Sequence, residues 1–296
     1  MDRRFFFQSL TAAGMLSQAA SPAAAQKAPG APKTPGAQEA PGAPAAGAQE
    51  APGAPAAPGA QNAAGRKTRL YRMDYFYYRQ GDQGTRINQF LASQMPLFTR
   101  HIHTLGVFTG VVTPLLQTTL VLTGFASFEE MTAAGGAIEG DSGYQKAHEE
   151  FERGTEAPFE TAERQLLQAT DFSPEIVPLA EKPKSPRYFE LRIYHSPTQR
   201  QLRQVHERFA GPETAIFHRS GVHPLFYADT IIGRELPNLT YLIPFATLAD
   251  REKAWDTFGA DPEWLKARAD SIARGGQIVN YNNLSLWRAT AFSPIQ

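Results

Sequence analysis

The sequence predicts an α+β protein made of two tandem ferredoxin-like βαββαβ units, packed sheet to sheet, within residues 67–296. Three observations carry this. First, the chain repeats itself: Ala169-Thr-Asp-Phe-Ser-Pro174 returns 120 residues later as Ala289-Thr-Ala-Phe-Ser-Pro294. At the same offset Asp141-Ser-Gly-Tyr-Gln-Lys-Ala147 matches Asp261-Pro-Glu-Trp-Leu-Lys-Ala267. A repeat this long marks duplicated domains, since solenoid units run about 20–50 residues. Second, Tyr188–His195 alternates apolar and polar side chains, the mark of a half-buried strand. Third, helix-start signals recur at matching places in both copies.

The second copy shows its elements in order. Phe189, Leu191 and Ile193 share one face of the first strand, and Glu190, Arg192 and Tyr194 the other. Pro197–Ser220 is predicted helical, with Leu202, Val205 and Phe209 on one side and a break at Gly211-Pro212, because proline cannot donate the helical hydrogen bond. Val222–Ile232 and Leu239–Ala246 are predicted strands joined by Gly-Arg-Glu-Leu-Pro-Asn, a loop rich in turn formers. Its Arg234–Asn238 portion is expected to protrude, where it could contact another subunit. Thr247 with Asp250, and Ser127 with Glu130 in the first copy, have capping-box spacing. Asp261-Pro262 reads as a cap followed by proline at the first helical position. Ile278–Ala289 supplies the last strand. A four-stranded antiparallel sheet with helices on one face leaves its other face bare. Two copies solve this by packing their bare faces into a barrel-like core, with Tyr71, Tyr75 and Tyr77 among the fillers. The units are placed at 67–180 and 187–296.

Composition excludes whole classes of function. Lys and Arg total 29, as do Asp and Glu, so the surplus of positive charge that nucleic-acid binding needs is missing. No cysteine is present, which removes disulfides, thiolate nucleophiles and Cys-ligated metals. The chain has no Gly-x-Gly-x-x-Gly, Walker, Gly-x-Ser-x-Gly or His-Glu-x-x-His motif. Residues 1–25 read as a twin-arginine export signal: Arg3-Arg4 before Phe5-Phe6-Phe7, a short apolar stretch, then Ala23-Ala24-Ala25 as a cleavage site. The apolar stretch is too short to span a bilayer, and a periplasmic or extracellular location is expected. In residues 26–66, 30 of 41 are Ala, Gly or Pro, and GAQEAPGAPAA occurs twice. Such a segment has nothing to bury and reads as a disordered linker.

Several segments of the second copy resemble the NIPSNAP family: Tyr188-Phe-Glu-Leu-Arg-Ile-Tyr194, Ala215-Ile-Phe-His-Arg-Ser-Gly221, Pro237-Asn-Leu-Thr-Tyr241 and, most specifically, Trp255-Asp-Thr-Phe-Gly-Ala-Asp-Pro-Glu-Trp264. The likeness extends over Lys67–Gln296 as two tandem units, and is similar to secreted bacterial members with a twin-arginine signal. It implies the dimeric α/β-barrel superfamily and an activity that is poorly defined. The first copy departs further, with Tyr71-Arg-Met-Asp-Tyr-Phe-Tyr77 at the corresponding strand, so a working pocket is expected in the second.

Candidate site residues follow from the face that the helices should cover. Glu190, Arg192 and Tyr194 on one strand, and His223, Tyr227 and Asp229 on the next, could converge between sheet and helices. A carboxylate, a guanidinium and phenols can do acid–base work or orient a carbonyl; the competing reading makes Glu190 and Arg192 a structural ion pair. His101-Ile-His103 has ligand-like spacing only on a strand, and no metal is expected. No cofactor is expected either, although the resemblance leaves haem, ligated by His218 or His223, as an alternative. The acidic pairs Glu129-Glu130 and Glu149-Glu150 read as solvated helix faces. The leading expectation is a small-ligand-binding or protein-interaction module of undefined activity. Its alternative is a small-molecule enzyme, a cofactor-free or haem-dependent oxidoreductase. A small-molecule ligand, a protein partner and a homo-oligomer are all compatible with the sequence; nucleic acid is not.

Overall fold

The computed structural model describes residues 67–115 and 117–296. The proposed export signal and linker lie outside the described residues. Each half runs strand, helix, strand, strand, helix pair, strand. The first comprises β1 (Leu70–Tyr77), α1 (Gln83–His101), β2 (Thr104–Val112), β3 (Thr118–Phe125), α2 (Phe128–Glu139), α3 (Ser142–Glu152) and β4 (Thr161–Ala169). The second comprises β5 (Tyr188–His195), α4 (Gln199–Arg208), a π-helical turn (Phe209–Glu213), α5 (Thr214–Arg219), β6 (Tyr227–Ile232), β7 (Asn238–Phe245), α6 (Leu248–Ala260), α7 (Pro262–Gly275) and β8 (Tyr281–Ala289). The expected second helix of each unit is thus two helices. The split falls at Asp141 and Asp261, whose carboxylates accept backbone N–H groups of the next helix.

The eight strands close one antiparallel barrel in the order β1-β3-β2-β8-β5-β7-β6-β4. Within each half the strands pair as the ferredoxin-like unit requires, and the halves join through β2–β8 and β4–β6. Closure removes the unpaired sheet edges. The bare sheet faces meet inside the barrel, where Tyr71, Met73, Tyr75, Phe108, Phe189 and Trp287 are buried. Tyr71 stacks on Phe226 at 4.4 Å and Phe108 meets Phe189 edge-on at 4.9 Å, so aromatic rings bridge the two halves. Burying each such side chain contributes about 1.5–3 kcal/mol. Helices cover the outside of each sheet over separate apolar layers.

The repeated Ala-Thr-x-Phe-Ser-Pro segment has a structural task. Ser173 Oγ accepts the Tyr227 N–H at 3.0 Å, and Ser293 Oγ accepts the Val107 N–H at 2.9 Å. Thr170 N–H donates to the Tyr227 carbonyl and Thr290 N–H to that of Val107. Each copy's last strand therefore ends by tying itself to the opposite half.

Two boundaries differ from expectation. β6 starts at Tyr227, not Val222, because Pro224 lacks the N–H that a ladder position needs. β8 starts at Tyr281, three residues after Ile278. The Arg234–Asn238 loop folds back on the barrel rim instead of protruding freely: Arg234 pairs with Glu163 at 2.5 Å, and Asn283 donates to Glu235 at 2.8 Å.

Candidate functional site

The outer face of the second sheet holds a row of polar side chains under helices. Arg192 on β5 lies directly across from Tyr241 on β7, which lies across from Tyr227 on β6. Tyr194 meets Tyr241 edge-on at 5.1 Å, and Tyr227 approaches the same ring at 5.6 Å. Arg192 Nη1 donates to the Tyr194 hydroxyl at 3.4 Å. The Tyr227 and Tyr241 hydroxyls face Thr214 and Tyr194 without closing a hydrogen bond to either. Burial raises both phenols far above their ordinary value, so they stay protonated at any working pH.

Glu213 closes this layer from the helix side. Gly211 breaks the helix with φ −88° and ψ −121° before Pro212, and the π-helical turn delivers Glu213 inward, fully buried. Its Oε2 accepts from Arg208 Nε at 2.6 Å, while its Oε1 has no partner. Burial lifts the carboxyl to about 7, against the opposing pull of Arg208. The Arg208 guanidinium lies over the Trp264 ring at 4.9 Å. Beside it a cavity of about 290 Å³ opens, walled by Tyr194, Arg208, Trp264, Arg268, Tyr281 and Asn282 with apolar side chains of α7 and the following loop.

The predicted residues divide four ways. Tyr194 and Tyr227 converge in the layer just described, with Arg192 beside them. Glu190 is sealed away from the cavity, fully buried between the guanidiniums of Arg192 and Arg251, with Trp255 Nε1 donating to it at 3.4 Å. Arg192 stacks over the Trp255 ring at 3.6 Å. This is the structural ion pair of the competing reading, enlarged by a second arginine. Asp229 turns to the seam between the halves, where it pairs with His206 at 2.8 Å in a second cavity of about 490 Å³ that Phe172 also lines. His223 does not join the others, since the residues before Tyr227 are not in the strand. It is exposed and stacks on His218 at 5.2 Å. Partial burial and the neighbouring His218 hold its imidazole below its usual pKa.

Neither His218 nor His223 lines the Tyr194 cavity or the seam cavity. His195 stacks on Tyr281 at 4.6 Å behind the first cavity's wall. His101 sits in the last turn of α1 and His103 in the loop after it. No group of three or more His, Asp or Glu side chains among the described residues could hold a metal.

Sequence reasoning missed Glu213, Arg208, Tyr241 and the seam residue His206. A signal for Glu213 was present: it lies four residues after Phe209, on the apolar stripe of a helix known to break.

Comparison with known proteins adds the lineage. No curated protein matches the chain by sequence. A structure from Lactobacillus acidophilus, provisionally named a monooxygenase, has TM-score 0.50 and 8% identity, covering 75% of this chain and 94% of its own. One from Fusobacterium nucleatum, with the same provisional name, has TM-score 0.50 and 4% identity, covering 75% and 92%. At these identities the likeness shows the fold alone. A NIPSNAP family protein from Agrobacterium tumefaciens is 19% identical, covering 40% of this chain and 100% of its own, with TM-score 0.35. The NIPSNAP family model matches residues 189–294, the stretch that begins in β5 and ends beyond β8. The second half of this chain is thus a NIPSNAP domain, paired in one closed barrel with a first half of the same topology.

Proposed function

We propose that the chain is an exported small-molecule-binding protein whose site is the cavity between the second sheet and its helices. The observation that carries this is the cavity of about 290 Å³ at Tyr194 and Arg208; Arg208 is paired in turn with the fully buried Glu213 carboxyl, which has one oxygen unpartnered. Buried polar atoms without partners are rare in structural cores, and cavities with a few convergent polar groups on apolar walls are where small ligands bind. The corresponding layer of the first half buries Phe76, Ile87, Leu91, Phe98, Val107 and Val121 under α1, with Arg72 paired to Asp74 on the same sheet. Export through the Arg3-Arg4 signal would bring the protein folded to the periplasm or beyond, and no described helix is long and apolar enough to cross a membrane.

Native mass spectrometry of the protein recovered from the export compartment tests this reading. Added mass that disappears in Tyr194→Ala supports it. A bare polypeptide, together with no change in tryptophan fluorescence across a panel of small aromatic and aliphatic molecules, would overturn it. The same spectra give the oligomeric state, and Arg3→Lys with Arg4→Lys should retain the protein in the cytoplasm.

The enzyme reading has one observation in its favour, the Glu213 carboxyl that titrates near neutrality next to Tyr227 and Tyr241. It predicts that the bound molecule is chemically changed on release, which analysis of the eluted ligand would show.

A further inference from the structure

We propose that this cavity takes a small organic anion with a flat apolar body, and that Glu213 takes up a proton from solvent as the anion settles against Arg208. The inference rests on the small-molecule reading above and concerns which molecule binds and how its charge is accommodated.

The lining shows a one-sided charge. Arg208 and Arg268 contribute guanidiniums, and none of the wall residues is acidic. Trp264, Tyr194 and Tyr281 provide aromatic surface, Ile272, Ile278 and Val279 aliphatic surface, and Asn280, Asn282 and Gln277 amides. Arg208 is held in place on several sides: Nε on Glu213, Nη1 toward Ser271 at 3.4 Å, and the guanidinium plane on Trp264. A planar guanidinium fixed this way is suited to a carboxylate. Arg268 is exposed at the rim, where a positive charge draws an anion in.

The carboxylate already on Arg208 sets the difficulty. Glu213 and an incoming anion would place two negative charges on one buried guanidinium, and burial of an unbalanced charge is costly. Protonating Glu213 restores the balance. The groups facing Glu213 allow it: Arg208 from α4, and Tyr227 and Tyr241 from the strands, both neutral phenols. From α7, Ser271 and Trp264 contact Arg208 without charge, and Arg268 stands at the rim. Among the described residues no other carboxylate acts on Glu213. The carboxyl's value of about 7 in the empty site means that a modest added repulsion keeps it protonated through the physiological range.

The test is isothermal titration calorimetry on the processed full chain, in paired buffers of different ionisation enthalpy. The probes are benzoate, cyclohexanecarboxylate and hexanoate, each with its matching neutral amide. The expected result is that a carboxylate binds more tightly than its amide. Uptake should approach about one proton per anion at pH 8 and fall to a small fraction of that at pH 6, where Glu213 is already protonated. Affinity should then drop by up to tenfold per pH unit above 7. Arg268→Ala, at an exposed position, should weaken the carboxylates several-fold and leave the amides unchanged. Amides binding as well as the acids, or acids binding with no proton uptake at pH 8, would overturn the proposal while leaving the cavity as a binding site. If neither series binds, nor any molecule in the wider panel, the small-molecule reading falls with it.

Discussion

Arg208 and Glu213 face each other across the break in the helix that follows β5, with Nε and Oε2 2.6 Å apart and both side chains buried. A continuous α-helix places residues five apart on different faces; the kink at Gly211 brings these two together. The break is therefore what gives the cavity-lining Arg208 its buried carboxylate partner.

That pair makes stability pH-dependent. Burial raises Glu213 from 4.5 to about 7, so the folded state keeps this proton over a range in which the unfolded chain has lost it. The stability from this group is complete below about pH 4.5 and is lost as pH rises through about 7. Urea denaturation of the wild type from pH 5 to 8 should show that decline, and Glu213→Gln should flatten it. An unchanged slope in the variant would exclude Glu213 as its source.

Glu190 should behave as a framework residue. Glu190→Ala leaves the Arg192 and Arg251 guanidiniums without their shared carboxylate, and breaking a buried pair costs about 3–5 kcal/mol. Chemical denaturation should register a loss of that order. Ligand binding at the Tyr194 cavity, measured where the variant is still folded, should change little.

Ser173 and Ser293 tie the halves together, and each serves one buried backbone N–H of a strand in the opposite half. Replacing either with Ala strands that donor at a cost of about 1–3 kcal/mol. The two sites share no partner, so the double variant should lose close to the sum. A non-additive result in equilibrium unfolding would reveal coupling through the barrel.

The His206–Asp229 pair sits partly exposed at the seam. Pairs of this kind are worth about 0–1 kcal/mol. His206→Ala should lower stability by no more than that, and binding in the Tyr194 cavity should be untouched if the two cavities are independent.

The duplication, the strand Tyr188–His195, and the caps at Ser127, Thr247 and Asp261 were all readable from the chain, because each depends on residues close together in sequence or repeated at a fixed offset. The barrel filling by Tyr71 and Tyr75 followed from the same logic, since a bare sheet face must be covered. Even the ion pair at Glu190 and Arg192 was foreseeable, two residues apart on one strand face. His223 went astray at Pro224, where a lost donor outweighed an apolar pattern. What the sequence could not reveal is which side chains from separate elements share a space. Arg251 completes the Glu190 network from 61 residues away, and His206 claims Asp229 from a helix on the other side of the strand. Glu213 becomes a titrating group near neutrality only because a helix break turns it into a dry layer between three tyrosines and an arginine. Periodicity and local hydrogen bonding determine elements and faces; desolvation and the pairing of distant charges exist only once the barrel has closed.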